Sequence, residues 1–250
     1  MKKEREMRTE EKLEGGEIVV QSGFAKWFDN FWYHYKWHAI GALVAILVLL
    51  VGTLSMCSRK KEDMTLVYAG PVVLSISELE QISAVIEELM PYDIDNDGEK
   101  ETAWMAYQIY SEAQIKALLE EKDAEGKPVN NVNRSYNVEQ YKTYGDYLMT
   151  GASSVYLLDP WLYAELLEAD RLAPLPATVS QKGTDGYGVR LGDTDLYESY
   201  GVLQLLPADT MICLMRPFEG TPWAKSNDKE QYQFEKDVFV NMVSFANKDD

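Results

Sequence analysis

Asp93, Asp95 and Asp97 stand at alternate positions in the run Asp93-Ile94-Asp95-Asn96-Asp97-Gly98-Glu99-Lys100-Glu101. Acids at loop positions 1, 3 and 5, with Gly at 6, match the first half of a calcium-binding loop. Such carboxylates can converge on one hard cation, which takes roughly 6–8 oxygens. Glu101 falls at position 9. Position 12 is Trp104, where the loop would carry a bidentate Glu. The run predicts a calcium site made by Asp93, Asp95, Asp97 and Glu101. With its strongest ligand missing, the site should have a dissociation constant of ~10⁻⁴–10⁻³ M. The same residues also read as an acidic turn entering a strand, with Gly98 supplying a positive φ.

Other chemistry is scarce. The two histidines, His34 and His38, both precede residue 39, so the rest of the chain has none. A Ser-His-Asp arrangement cannot be built there. Zinc sites of His and Cys are excluded too, because Cys213 stands alone beyond Cys57. No P-loop and no G-x-G-x-x-G occur. The reading is that this is not an enzyme. The 16 tyrosines, with Trp104, Trp161 and Trp223, could line a groove for a small solute or peptide, though most sit at core spacings.

The largest element that positions these residues is Ala39 to Met56, an uncharged stretch with ten Leu, Ile or Val. At about 1.5 Å per residue it comes close to the ~30 Å of a hydrocarbon core. It predicts a transmembrane helix over residues 38–57, in a single-pass protein of the cell membrane. Residues 24–37 hold eight aromatics, with Phe24, Trp27, Phe28, Phe31 and Tyr35 on one helical face. They read as an interfacial helix facing membrane lipid, and as a surface for a membrane protein partner. Residues 1–23 read as a disordered cytoplasmic tail.

Residues 62–250 carry 14 Lys or Arg against 34 Asp or Glu. So acidic a domain repels phosphate backbones, which argues against nucleic acid. The expectation places this C-terminal domain outside the cell. Lys26 and Lys36 face Arg59, Lys60 and Lys61 across the span, so the positive-inside count slightly favours the opposite orientation. Leu54-Ser55-Met56-Cys57 is a poor lipoprotein processing site, because Met56 is not small. Cys213 reads as a buried thiol in a strand.

From residue 64 the pattern alternates strand and helix. Strands are predicted over 65–69, 102–110, 154–158 and 210–215 from their apolar and aromatic runs. Ser77-x-x-Glu80 reads as a capping box before a stripe of Leu79, Ile82, Val85, Ile86 and Leu89. Ser111 opens a helix with Ile115, Leu118 and Leu119 inward, and Asn137 caps the next. Asp159-Pro160 starts another, as N-cap and first helical residue. Residues 179–195 read as a glycine-rich loop, and Asn227 with Glu230 opens a final helix. The fold class that follows is an α/β sandwich with a largely parallel sheet.

The stretch YKTYGDYLMTGASSVYLLDPWLYAELLEADRLAPL resembles the first lobe of type II periplasmic, or extracellular, solute-binding proteins. Tyr200 to Arg216 resembles the strand with which that family crosses out of the lobe. SNDKEQYQFEKDVFVNMVSF resembles its returning helix. The resemblance covers roughly residues 64–246. It implies a non-enzymatic binding or interaction role for a membrane-anchored, extracytoplasmic domain. The family has two lobes of similar size, whereas only the loop near 179–195 lies where a second would be inserted. The second lobe reads as reduced or missing. The rival reading is a membrane-tethered scaffold or assembly component without a small-molecule ligand.

Overall fold

The computed structural model describes residues 23–57, 62–127, 129–179, 185–217 and 229–246. Residues 1–22 of the expected tail, the cations Arg59 to Lys61 and the expected cap Asn227 lie outside them, and Gly23 already belongs to a helix. The chain divides into two units, Met1–Arg59 and Lys60–Asp250.

Among the described residues the first unit is one helix, α1 (Gly23–Cys57), of 35 residues. At about 1.5 Å per residue it is ~52 Å long. It runs unbroken through both the aromatic and the aliphatic stretch. Phe31–Thr53 is long and apolar enough to cross a membrane, by length and composition. Every described side chain from Leu43 to Thr53 is exposed. Rings four residues apart stack along one side: Trp27 on Phe31 at 5.6 Å and Phe31 on Tyr35 at 5.5 Å.

The second unit is built on β1 (Met64–Gly70), which pairs in parallel with β2 (Thr102–Gln108) and β3 (Val155–Leu158). Between β1 and β2 runs α2 (Ile76–Leu89). Between β2 and β3 run α3 (Glu112–Glu120) and α4 (Arg134–Leu148). After α5 (Pro160–Glu168) come β4 (Gly188–Arg190), the short α6 (Asp195–Ser199), β5 (Met211–Leu214) and α7 (Lys229–Ser244). The sheet order is β2-β1-β3-β5-β4. β5 is antiparallel to both β3 and β4, so four strands run one way and β5 against them. This is a mixed α/β domain with a mostly parallel sheet.

A parallel sheet must be covered on both faces, and the sequence supplies both layers. On one face Leu66, Tyr68, Leu157 and Ile212 meet Ile82 and Ile86 of α2 and Phe234, Val238 and Met242 of α7. On the other Val67, Tyr156, Leu158 and Cys213 meet Tyr144 of α4 and Leu162 and Leu166 of α5. Cys213 is fully buried, and burial pushes its thiol pKa far up.

Several local expectations shift. The capping box before α2 is Ser75–Glu78, not Ser77–Glu80. Both pairs fit S-x-x-E, and the earlier one gains two helical residues. Asn133, not Asn137, caps α4. Asn137 lies within the helix, where its amide bonds the backbone N–H and C=O of Tyr110. Leu119 faces solvent rather than the core. The stretch 179–195 contains β4, a three-residue edge strand read from sequence as loop. Gly188 lies against the Tyr163 ring, where a Cβ would come within 2.6 Å, so the residue must be small.

One buried charge ties α7 to the sheet. The Glu235 carboxylate accepts from the Ser154 N–H at 2.8 Å and from Gln231 Nε2 at 3.0 Å. Burial pushes its pKa up, and these hydrogen bonds oppose that without winning. The folded state therefore binds a proton more tightly than the unfolded chain does. This contribution to stability is full below about pH 4.5. It is lost as pH rises toward the raised value, at up to about 1.4 kcal/mol per pH unit. Glu235→Gln should flatten that slope in urea titrations carried upward from pH 4.5; an unchanged slope would assign it elsewhere. Leu157→Asp, which places a charge in the middle of β3, should cost several kcal/mol and unfold the domain by circular dichroism.

Candidate functional site

The acidic loop joins α2 to β2. Asp93 organises it. Its two oxygens accept from the N–H groups of Asn96 (2.8 Å) and Gly98 (2.7 Å). Asp95 and Asp97 accept from the N–H groups of Asp97 (3.2 Å) and Glu99 (2.9 Å). Asn96 and Gly98 take φ of +59° and +97°. Gly98 thus supplies the positive φ expected of it.

The structure groups the acids differently from their spacing in the chain. Among the described residues, the acids whose ligand atoms lie within 4.8 Å of one another are Asp63, Asp93 and Asp95. Asp97 and Glu101 are outside that group. Trp104 donates its Nε1–H to Ser83 at 2.7 Å, which engages the residue at position 12 with α2. Asp63 could not be found from spacing, because it precedes the loop by thirty residues. Parallel pairing is what brings the start of β1 beside the start of β2.

Asp63 is buried, and its carboxylate accepts from Ile94 N–H at 2.9 Å and Glu101 N–H at 2.8 Å. It therefore clamps both ends of the loop. Asp93 is held below the usual carboxylate range, chiefly by the Gly98 N–H. Asp95 is held above it, first by desolvation and then by the negative charges around it, Asp97 and Asp63 among them. A cation among the three would relieve that repulsion. Each carboxylate oxygen keeps a second lone pair after accepting one N–H.

A second feature lies at the opposite end of the sheet, just past β2 and at the start of α5. A crevice of about 270 Å³ is lined by Tyr110, Ser111, Val138, Tyr141 and Trp161, among others. Tyr141 stacks on Trp161 at 5.9 Å and 17°. Trp161 Nε1 is buried and, among the described residues, has no acceptor. Asp159 beneath it accepts from Gln114 Nε2 at 2.7 Å and from the Trp161 N–H at 3.1 Å. In open α/β sheets, ligands sit outside the carboxyl ends of the strands, where the strand order reverses. Here the order reverses between β1 and β3, and the crevice lies at that carboxyl end of the sheet, lined from past β2 and past β3. A larger cavity of about 590 Å³ lies at the other end of β3. There Arg216 is committed to Asp170 in a bidentate pair at 2.6 Å.

Comparison of the chain with family models, curated proteins and solved structures finds no match.

The acidic loop gives a direct test. At calcium about ten times the dissociation constant, binding would add roughly 1.4 kcal/mol. For a domain of this size that is a rise of a few degrees in Tm. Asp95→Asn should abolish the rise and leave the calcium-free Tm nearly unchanged. Asp63→Asn should lower the calcium-free stability by about 2 kcal/mol, since two part-buried N–H bonds to a carboxylate are weakened. Identical melting in millimolar calcium and in chelator would leave the loop as a turn held by Asp63.

Proposed function

We propose that the chain is a single-pass membrane protein whose C-terminal α/β domain stands outside the cell as a non-enzymatic binding or interaction module. α1 supports the location: its aliphatic stretch is exposed along its length, which water would penalise and a bilayer would not. The observation that carries the binding role is the crevice beyond β2. It offers a stacked aromatic wall and a buried indole N–H without an acceptor among the described residues. A buried donor left unmade costs about 1–3 kcal/mol.

The likeness to one lobe of a solute-binding protein draws support from β5. The stretch compared with that family's crossing strand contains the one strand that runs against the rest of the sheet. The connections from α5 to β4 and from β5 to α7 span residues 169–187 and 215–228. Neither is long enough for a lobe of the usual domain size. Binding therefore takes place on an open surface rather than between closing lobes. That favours a partner's side chain or peptide over a fully enclosed solute, and brings the scaffold reading close to the first.

Topology is tested with Glu125→Cys, in the exposed loop after α3, in a Cys57→Ser background. Cys213 is buried and should stay silent. A membrane-impermeant maleimide should label intact cells; labelling only after lysis would reverse the orientation. For the crevice, a photocrosslinker at Val138 should trap a partner in intact cells. Equal yields from Val138 and from Glu125 would remove the crevice as the contact.

A further inference from the structure

Among the described residues β2 is an edge strand, paired on one side only. Backbone N–H and C=O groups alternate between the two sides of a strand. Ile109 N–H donates to Gly70 O, and Glu101 O accepts from Asp63 N–H, so the odd-numbered residues face β1. The even-numbered ones face outward. At the ends those outward groups meet side chains. Glu87 accepts from Thr102 N–H at 3.0 Å, and Asn137 bonds both the N–H and the C=O of Tyr110 at 2.8 and 3.0 Å. Between them stand Trp104, Ala106 and Gln108. Among the described residues, nothing bonds their outward N–H and C=O groups. Met105 and Ala106 are exposed. Edge strands are commonly guarded by Lys, Pro or a bulge, and Thr-Ala-Trp-Met-Ala-Tyr-Gln has neither Lys nor Pro.

A groove of about 440 Å³ runs beside this edge, against α2. Ile76, Leu79 and Trp104 form its apolar wall, and Glu62, Glu80 and Glu87 its rim. Among the described residues no Lys or Arg lines it. An open strand edge selects an extended backbone, and the carboxylates select cationic side chains. A second copy of the chain would set the same carboxylates against each other, so it fits less well.

We propose that the open edge of β2 docks an extended segment rich in Lys or Arg, which joins the sheet as a further strand and sets its cations over Glu62, Glu80 and Glu87. Alternate side chains of the added strand fall on the groove side. A strand with a cation at every second position therefore fits. This docking does not depend on the crevice or on which side of a membrane the domain occupies.

The test uses the full chain in phosphatidylcholine nanodiscs and a fluorescein-labelled peptide of nine residues alternating Lys and Val. Fluorescence anisotropy should show saturable binding. Replacing each Lys with Glu should weaken it at least about tenfold. N-methylation of either the Lys set or the Val set should abolish binding while the other set is tolerated, because only one turns its N–H groups to β2. Ala106→Pro should also abolish it with Tm unchanged, since Pro is tolerated where an edge N–H faces solvent. Equal affinity for the Lys and Glu peptides would overturn the proposal. So would equal effects of the two methylation patterns, or peptide binding by Ala106→Pro equal to that of the parent. Absence of binding at millimolar peptide would reject the basic partner. If self-association that Ala106→Pro removes were seen as well, the second copy would take its place.

Discussion

Two parallel strands cannot be joined by a tight turn, so no local geometry holds the start of β1 beside the start of β2. Asp63 does so. Its carboxylate takes the N–H groups of Ile94 and Glu101, and its own N–H donates to the Glu101 carbonyl. Its carbonyl accepts from Gln231 Nε2 on α7, the same amide that donates to Glu235. Glu235 then holds Ser154 at the head of β3. A chain of four side chain–backbone contacts thus aligns the heads of three parallel strands. The register of the sheet follows from that alignment, and the register decides which side chains reach each face.

The two faces are filled differently. The face under α2 and α7 is mainly aliphatic, with Phe234, Phe239 and one buried tyrosine, Tyr68, whereas the other carries Tyr107, Tyr144, Tyr156 and Tyr163. Tyrosine brings a hydroxyl that must find a partner or go without. Tyr163 donates to Asp185 at 2.7 Å, whereas Tyr144 OH is buried with no partner among the described residues. The tyrosine-rich face meets α4 and α5, the helices that also wall the crevice. Of the three buried side-chain polar atoms without a partner among the described residues, Tyr144 OH and Trp161 Nε1 belong to this side, and the third is Thr102 Oγ1 beside α2.

Much of this fold was legible in the chain. β1, β3 and β5 are apolar runs bounded by turn residues, and such runs survive most tertiary contexts. Asp159-Pro160 marks the start of α5 because cap and proline act within one turn. β4 was not legible. Three residues with a glycine have no strand signal of their own and become a strand only beside β5. Asn133 and Asn137 are equal as caps in sequence, and only the edge of β2 decides between them. The candidate metal site was half legible. Asp93 and Asp95 fall within one turn and meet, but Asp97 and Glu101 do not join them, and Asp63 enters from another strand. Spacing registers neighbours along the chain and not those that a sheet creates.

The burial of Cys213 has a consequence for redox chemistry. It is the only cysteine in residues 62–250, placed on β5 between β3 and β4. Thiol–disulfide exchange proceeds through the thiolate and needs access to the sulfur. Burial denies both here. A lone surface thiol in an oxidising compartment would cross-link copies or climb toward sulfinic acid. This one is inert while the sheet is closed. The domain can therefore stand in oxidising or reducing surroundings with the same covalent structure, and its sulfur becomes reactive only when β5 leaves the sheet.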